Sequence, residues 1–269
     1  MGIPGSALSP GELKGLLALA GRAAAAAAAL LAERWGRYHT VLAETAHDVK
    51  LQDDRDAEAA VLEVLAESGL PVLAEESGDG GAPIAQDAVH WVVDPLDGTV
   101  NYSRGIAYCC VSVALSAGGA PVLGVVNDFT RREVFTGAPG LGAWRDGAPM
   151  RVSAVTAPGR AILGFGNPAG FDYDDAQLLA LHRTLNRFHK VRQPGAAALM
   201  MAHVACGLMD AFMEDDISYW DIAAGTALIR AAGGWAELAP SPTHPWARRI
   251  RAASSSEVWA AMDGYTLRG

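Results

Sequence analysis

The sequence is poor in cysteine and has no excess of positive charge, and each shortage excludes a class of protein. Its 269 residues include three cysteines, two of them adjacent, which gives neither a disulfide framework nor the spacing of a zinc knuckle. Cys109 and Cys110 would point to opposite faces of a strand, so we expect small core residues and a reducing, cytoplasmic location. The net charge of −9 argues against nucleic acid or an anionic membrane surface as a partner.

An alanine-rich run near the N-terminus resembles the core of a signal peptide. The longest alanine-rich run, residues 23–32, is flanked by charged residues and is too short to span a bilayer. We interpret it as part of a helix in a soluble protein. With 51% hydrophobic and 19% charged residues, the chain is typical of a globular protein and is long enough for one large domain or two packed lobes.

What stands out is the stretch W-V-V-D-P-L-D-G-T at residues 91–99. Its first three residues form an apolar run that predicts a buried strand, which should end at Pro95 because proline cannot donate to a ladder. In a regular strand Asp94 and Asp97 would face opposite ways. A turn forced by Pro95 and Gly98 can instead aim both carboxylates at one point.

The oxygen atoms of this stretch suit a hard divalent cation. The two carboxylates and the Leu96 carbonyl between them are the ligands that Mg²⁺ prefers. Thr99 follows Gly98 at the expected start of a helical turn, where backbone N–H groups could hold a phosphate. The same residues would also form a plain D-P-x-D-G turn between two strands, and these nine positions alone leave both interpretations open.

The rest of the pattern predicts a mixed α/β protein of two lobes, residues 1–150 and 151–269, with helices layered over sheets. The first lobe should contain helices at 10–35 and 53–68, an extended segment at 38–51, and strands at 71–75, 107–116, 122–128, 133–136 and 142–145. The second should alternate strands at 161–165, 188–193, 209–213 and 234–238 with helices at 174–187, 194–207, 218–232 and 254–261. We expect Trp220, Trp235 and a hydrogen-bonded His203 in the core.

Four further acidic residues lie at the ends of predicted elements, where loops build sites: Asp54, Glu75, Glu214 and Asp221. Each has a simpler structural interpretation. Asp54 could be a charge at a helix start, Glu75 could begin a surface loop, and Asp221 could form a capping box with Ser218. The combination with residues 91–99 favours a site over coincidence.

Several motifs taken together resemble one family. They are E-E at 75–76, W-V-V-D-P-L-D-G-T-V-N-Y at 91–102, W-D-I-A-A-G at 220–225 and A-A-G-G at 231–234. This combination resembles the inositol monophosphatase family, a Mg²⁺-dependent and lithium-sensitive group of small-molecule phosphatases. The resemblance implies a layered αβαβα sandwich of the sugar-phosphatase type. It also implies a homodimer, an N-terminal lobe with most metal ligands and a C-terminal lobe that completes the substrate site.

The resemblance implies a metal centre of two to three Mg²⁺ ions, with Mn²⁺ as a possible substitute. Glu75, Asp94 and the Leu96 carbonyl resemble the ligands of the first ion. Asp94, Asp97 and Asp221 resemble those of the second, and Glu75 also resembles the protein ligand of a third, weaker site.

The family's other roles also map onto matching positions. The implied catalytic residues are Asp54, Glu75 and Thr99, with Asp54 as the partner of the threonine. The implied substrate contacts are Gly98, Thr99, Gly195, Ala196, Glu214 and Asp221. We therefore expect in-line attack on phosphorus by a metal-activated water, without a phosphoenzyme.

The expected substrate is a small sugar or polyol phosphate, with inositol 1-phosphate favoured because Asn101-Tyr102 resembles the inositol-type branch. Fructose 1,6-bisphosphate, histidinol phosphate and a 3′-phosphonucleotide are alternatives on the same scaffold, and so is a catalytically silent, metal-binding interaction protein. The chain has Lys50-Leu51-Gln52-Asp53-Asp54 where the family usually has V-T-x-x-D. This departure bears on the third metal site and on lithium sensitivity.

Overall fold

A computed structural model describes residues 8–45, 49–81, 83–167 and 173–263. Its helices are α1 (Pro10–Arg34), α2 (Gln52–Leu65), α3 (Thr99–Ser103), α4 (Asp175–Leu185), α5 (Ala197–Ala205), α6 (Tyr219–Ala231) and α7 (Ser256–Ala260). Its first nine strands are β1 (Val41–Glu44), β2 (Val49–Leu51), β3 (Val72–Ala74), β4 (His90–Asp97), β5 (Cys110–Ala117), β6 (Ala120–Asp128), β7 (Glu133–Ala138), β8 (Gly142–Arg145) and β9 (Ala148–Pro149). The remaining strands are β10 (Ile162–Phe165), β11 (Lys190–Arg192), β12 (Ala211–Ser218), β13 (Trp235–Pro240) and β14 (Ala247–Ala253).

The strands form two large sheets and one small hairpin. The seven-stranded sheet has the order β3-β4-β5-β6-β7-β8-β9, and the five-stranded sheet has the order β11-β10-β12-β14-β13. Strands β4 to β9 are antiparallel neighbours, as the predicted meander requires, whereas β3 runs parallel to β4. The large sheet ends at residue 149 and the other begins at 162, and the division into lobes at residue 150 stays a prediction.

Three apolar clusters show how the layers stack. Helices α1 and α2 share a core with one face of the seven-stranded sheet. Helices α5 and α6 fill the space between the other face of that sheet and the five-stranded sheet. Helices α4 and α7 cover the outer face of the five-stranded sheet. The order helix, sheet, helix, sheet, helix confirms the predicted αβαβα sandwich.

The alternation of side chains along the strands decides which core each residue joins. Cys109 contributes to the core under α1 and α2, and Cys110 to the core under α5 and α6. Trp91 and Val93 likewise face α1 and α2, while Val92 faces the opposite way. The cysteine pair is therefore buried on opposite faces, as predicted.

Helix α1 is, by length and composition, the one helix of the described residues that could cross a membrane. It begins with a capping box, in which the Glu12 N–H donates to the Ser9 hydroxyl and the Ser9 N–H donates to the Glu12 carboxylate. Its buried face includes Leu19 and Leu31 and packs against α2 and strands β5 and β6. The alanines on that face allow close approach, and this packing is that of a core helix.

The predicted end of the central strand at Pro95 is wrong, because β4 continues to Asp97. Asp94 pairs opposite Ser112 and Asp97 opposite Cys110, so three steps along β4 match two along β5. This is a β-bulge, and it interrupts the ladder at the residue that lacks an N–H.

Two further predictions need correction in the second half. Strand β14 is missing from the predicted elements, because its three arginines hide the apolar alternation; Arg248 lies over the Tyr219 ring and Arg249 pairs with Asp215 at 3.2 Å. Trp235 is 54% exposed, since it lies on the edge strand β13, whereas Trp220 packs partly buried against the core.

His203 is a buried core histidine, but only half of its hydrogen-bonding capacity is used. Its Nδ1 lies 3.0 Å from the Tyr108 hydroxyl, while Nε2 is buried without a hydrogen-bond partner among the described residues. Burial lowers the pKa of His203 to about 4, so the side chain is neutral near pH 7.

Candidate active site

A cavity of about 380 Å³ opens where β4 and β12 end and α5 begins. It is lined by ten of the residues predicted for the site: Glu75, Asp94, Leu96, Asp97, Gly98, Thr99, Gly195, Ala196, Glu214 and Asp221. The eleventh, Asp54, lies behind Thr99. The structure therefore brings together residues that are up to 167 positions apart in the sequence.

The bulge in β4 aims the two aspartates of the central stretch at this cavity. In a regular strand Asp94 and Asp97 would face opposite sides, because they are three residues apart. The extra residue of the bulge brings both side chains to the same side, where they line the cavity. The Asp94 carboxylate accepts a hydrogen bond of 2.9 Å from the Leu96 N–H, which fixes the turn locally. The turn therefore brings both carboxylates to the cavity.

Asp97 makes a contact that the sequence did not reveal. Its carboxylate accepts hydrogen bonds from the backbone N–H groups of Ala197, at 3.2 Å, and Ala198, at 2.7 Å. These donors belong to the first turn of α5, where a negative charge is favourable. One carboxylate thus ties the end of β4 to the helix that forms the opposite wall.

Thr99 connects the cavity to α2. Its hydroxyl lies 3.0 Å from Asp54 Oδ1 and 3.0 Å from the Leu96 carbonyl oxygen. The other Asp54 oxygen accepts a 2.6 Å hydrogen bond from the Leu51 N–H at the start of α2. Both interpretations of Asp54 therefore hold, since it caps a helix and also positions the threonine.

Two glycines permit the close packing of the cavity floor. Gly98 has φ +90°, and a Cβ there would lie 3.0 Å from the Tyr108 carbonyl oxygen and 3.2 Å from the Ala196 Cβ. Gly195 has φ +86°, and a Cβ would lie 3.3 Å from the Asn101 amide nitrogen. A side chain at either position would be strained in its backbone and crowded by its neighbours.

The acidic residues of the cavity carry raised pKa values. Burial, followed by the nearby Asp54 charge, raises the pKa of Glu75 to about 8, and burial raises the pKa of Asp97 to about 7. Burial and the Glu75 charge raise the pKa of both Asp94 and Asp221 well above the ordinary range of aspartate. Such crowding of carboxylates without a facing cation favours proton or metal binding.

The donor set fits Mg²⁺ in its chemistry. It consists of carboxylate and carbonyl oxygens, and the cavity is lined by no lysine or arginine among the described residues. In the described ranges no group of three or more His, Cys, Asp or Glu side chains is arranged to hold a metal ion as it stands. The negative charges of Glu75, Asp97 and Asp221 all act on Asp94, and a cation among them would offset this repulsion.

Glu214 lies on the wall contributed by β12, next to Gly166, which no sequence motif singles out. A Cβ on Gly166 would lie within 1.6 Å of a Glu214 carboxylate oxygen. Burial raises the pKa of Glu214 to about 8, with a further contribution from the Asp97 charge. A local sequence signal for Gly166 is lacking because its neighbour is 48 positions further along the chain.

The structure shows what the residues of two local motifs do. Ser218 caps α6 without a side-chain hydrogen bond, so the capping box with Asp221 is not formed. Asn101 and Tyr102 are buried and structural: the Asn101 amide donates to the Pro194 carbonyl at 2.7 Å, and the Tyr102 hydroxyl donates to the Leu31 carbonyl at 2.9 Å. Neither lines the cavity, so they shape it from behind.

Comparisons with known proteins agree with this architecture. Residues 12–262 match the inositol monophosphatase family. An inositol-1-monophosphatase of Synechocystis sp. is 34% identical over 238 residues, covering 84% of this chain and 79% of the relative. The Nus factor SuhB of Xylella fastidiosa is 40% identical over 165 residues, covering 61% of this chain and 58% of the relative. The structure of an inositol monophosphatase from Anabaena (Nostoc) sp. is similar with a TM-score of 0.76 and 34% identity, covering 93% of this chain and 94% of that one. The chain therefore belongs to the inositol monophosphatase family and is a phosphoric monoester hydrolase of that type.

Proposed function

We propose that this chain is a Mg²⁺-dependent phosphomonoesterase that hydrolyses a small polyol phosphate, with inositol 1-phosphate as the favoured substrate. One observation carries the proposal. The carboxylates of Glu75, Asp94, Asp97 and Asp221 share a cavity of about 380 Å³ with the Gly98–Thr99 turn. Acidic oxygen ligands beside a glycine turn, where a ligand can approach the backbone closely, suit a metal ion and a phosphate at once.

The metal centre would be formed by the residues that the sequence indicates. Glu75, Asp94 and the Leu96 carbonyl would hold one ion, and Asp94, Asp97 and Asp221 a second. We propose two to three Mg²⁺ ions, with Mn²⁺ as a substitute. When bound, Mg²⁺ lowers the pKa of water and offsets negative charge on the phosphoryl group.

The chain's own residues would orient the reactants. The Thr99 hydroxyl, held between Asp54 and the Leu96 carbonyl, is placed to direct a water towards phosphorus. Gly98, whose missing side chain leaves the floor open, would let the phosphate approach the backbone. Ala196 and Glu214 would contact the polyol, the first with its apolar surface and the second with a carboxyl group.

Catalysis by these groups needs no covalent intermediate. Four of the five acidic side chains in the lining would be engaged as metal ligands, the lining contains neither cysteine nor serine among the described residues, and its one hydroxyl belongs to Thr99, which is already engaged. We therefore propose direct in-line attack by water. We propose a cytoplasmic homodimer from the resemblance to the family. The three cysteines, all free, are consistent with a reducing compartment.

A second candidate function follows from the relative that is named a Nus factor. The chain could then act through a protein or nucleic-acid partner, with or without turnover. The acidic cavity argues against loss of activity, because a silent relative has no need to keep Glu75, Asp94, Asp97, Thr99 and Asp221 together.

A panel of phosphate esters tests the proposal. Phosphate release is measured at saturating Mg²⁺ from inositol 1-phosphate, fructose 1,6-bisphosphate, histidinol phosphate and a 3′-phosphonucleotide. We expect the highest kcat/KM with inositol 1-phosphate. Preference for another ester would replace the substrate and keep the chemistry, whereas release from none of them would favour the second candidate function.

A further inference from the structure

The wall of the cavity opposite the central stretch depends on a residue that does not line it. We propose that Asp216 is a positioning residue, which holds a bulge in β12 so that Glu214 and Ile217 lie side by side and select hydroxyl-rich phosphate esters. This inference rests on the proposed function and deepens it, since it concerns which ester the same cavity accepts.

The bulge is visible in the pairing of β12 with β14. Glu214 lies opposite Ile250 and Ile217 opposite Arg248, so three steps along β12 match two along β14. In a regular strand Glu214 and Ile217 would face opposite sides, because they are an odd number of residues apart. With one residue inserted between them, both line the cavity.

Asp216 occupies the backbone conformation on which the bulge depends. Its φ is +61°, in the left-handed region that disfavours residues with a Cβ. Its carboxylate accepts hydrogen bonds from the Ser241 hydroxyl, at 2.5 Å, and from the Thr243 hydroxyl. Both donors belong to the connection between β13 and β14, residues 241–246, so the bulge is held from outside the cavity.

The same connection supports the residues that follow the bulge. The His244 ring stacks on Trp220 with centroids 6.4 Å apart, and the Trp246 ring stacks on Tyr219 at 6.0 Å. Trp220 directly precedes Asp221, the last acidic residue of the cavity. These ring contacts hold the first turn of α6, and with it Asp221, without involving Asp216, so that loosening the bulge leaves them in place.

The acidic side chains of the bulge do not act as ligands themselves. Asp215 forms an ion pair with Arg249 at 3.2 Å, and Asp216 binds the two hydroxyls. Neither is among the residues that line the cavity, whereas Glu214 is. The three successive acids therefore have separate roles, and only Glu214 faces the cavity.

This arrangement separates recognition of the alcohol from recognition of the phosphate. The Glu214 carboxyl group can hydrogen-bond to the hydroxyl groups of a polyol ring. The apolar Ile217 side chain can contact the C–H face of the same ring. The phosphate end depends on Asp94, Gly98 and Thr99, which β4 positions independently. Loosening the β12 bulge should therefore weaken binding of a polyol ester more than binding of an ester without hydroxyls.

Two variants remove the brace from opposite ends. Asp216→Ala removes the acceptor, and the double variant Ser241→Ala with Thr243→Val removes both donors. Each should raise KM for inositol 1-phosphate about tenfold and leave kcat/KM for p-nitrophenyl phosphate within about twofold. A small displacement of the β12 wall should weaken binding only of the ester whose hydroxyl groups that wall contacts. Asp216→Asn should behave like the wild type, since asparagine accepts the same hydrogen bonds and tolerates the left-handed region.

A matched control is available in Asp146→Ala. Asp146 also has a positive φ, +51°, and its carboxylate accepts a 2.8 Å hydrogen bond from the Val134 N–H, but it lies in the turn between β8 and β9. This variant should keep the wild-type KM for both esters, so that a general loss of stability is distinguished from a loss of positioning.

Hydrogen exchange makes the test independent of the substrate. Amides of residues 214–218 should exchange faster in Asp216→Ala than in the wild type, and at the wild-type rate in Asp146→Ala. If the wild type hydrolyses no polyol ester, the proposed function fails and the exchange result alone decides the inference. Wild-type exchange and wild-type KM in Asp216→Ala would overturn it.

Discussion

The two strands that carry the site, β4 and β12, each insert one extra residue, but they stabilise it in different ways. The bulge in β4 is held by neighbouring residues. Pro95 has no N–H that the bulge could leave unpaired, and the Asp94 carboxylate accepts a hydrogen bond of 2.9 Å from the Leu96 N–H. The bulge in β12 is held by Ser241, which is 25 positions away in the sequence, and by Thr243. The residues that hold the first bulge are therefore adjacent in the sequence, whereas those that hold the second are brought together only by folding.

The two bulges position different parts of the candidate site. Residues around the β4 bulge supply the acidic oxygens and the phosphate turn, which every substrate of this cavity would need. Residues around the β12 bulge supply Glu214 and Ile217, which would contact the variable part of the ester. Changes in the first should abolish turnover, and changes in the second should alter preference.

Asp94→Asn should have the largest effect, because it removes a charge shared by both proposed metal positions. We expect kcat to fall by a factor on the order of 10³ or more for every ester. Folding should survive, since burial already disfavours the charged form of Asp94. A thermal unfolding midpoint at or above that of the wild type would show this, and a variant with substantial turnover would contradict the assignment.

Gly166→Ala should be the next largest, and it acts on the β12 wall alone. The added Cβ would lie within 1.6 Å of Glu214 Oε2, so the glutamate must move away from the cavity. We expect KM for inositol 1-phosphate to rise about tenfold, with a smaller change for p-nitrophenyl phosphate. Gly159→Ala is the matched control, because no atom lies within 4 Å of the position that its added Cβ would take. An equal rise in KM for both esters would contradict the prediction that the β12 wall contacts only the polyol part of the substrate.

Glu214→Gln should change the dependence of stability on pH when the metal is chelated. The pKa of Glu214 is about 8 in the folded chain and near 4.5 in the unfolded chain, so the folded state binds more protons between these values. Stability of the wild type should therefore fall as pH rises from 4.5 to 8. The variant lacks this loss, so its free energy of unfolding at pH 8 should exceed that of the wild type by on the order of 2 kcal/mol. This is less than the whole pKa shift would give, because the Glu214 side chain is partly exposed. Denaturant titrations at pH 5 and pH 8 measure the gap, and a gap that is constant with pH would refute the prediction.

Pro95→Ala should have the smallest effect, although it alters the central motif. The β4 bulge keeps the hydrogen bond from the Leu96 N–H to Asp94 and the left-handed Gly98. The expected loss is below about 1 kcal/mol, mainly from greater freedom of the unfolded chain, with kcat within about twofold. A loss of activity comparable to that of Asp94→Asn would mean that the proline alone holds the bulge.

The sequence predicted the layers and most of the candidate site because the signals are local. Glu75, Asp94, Asp97 and Asp221 each stand at the end of an apolar element, and the structure places all four in one cavity. Strand β14 escaped prediction because Arg248 and Arg249 find aromatic and acidic partners that are remote in sequence.

The contacts that complete the site join residues far apart in the sequence, and no sequence motif indicates them. Asp97 caps α5 through Ala197 and Ala198, Gly166 makes room for Glu214, and Ser241 holds Asp216. In each case a small or ordinary residue matters because of a neighbour that only folding brings near. Asn101 belongs to a recognisable motif, but its role as a buried amide that binds the Pro194 carbonyl likewise depends on a residue far away in the sequence.

The most direct test of the central claim is phosphate release from inositol 1-phosphate by the chelator-treated chain as Mg²⁺ is added back. We predict no release without the metal, and a saturable return of activity in the wild type but not in Asp94→Asn. Release that is undiminished by the chelator would contradict a metal-dependent site built on these carboxylates.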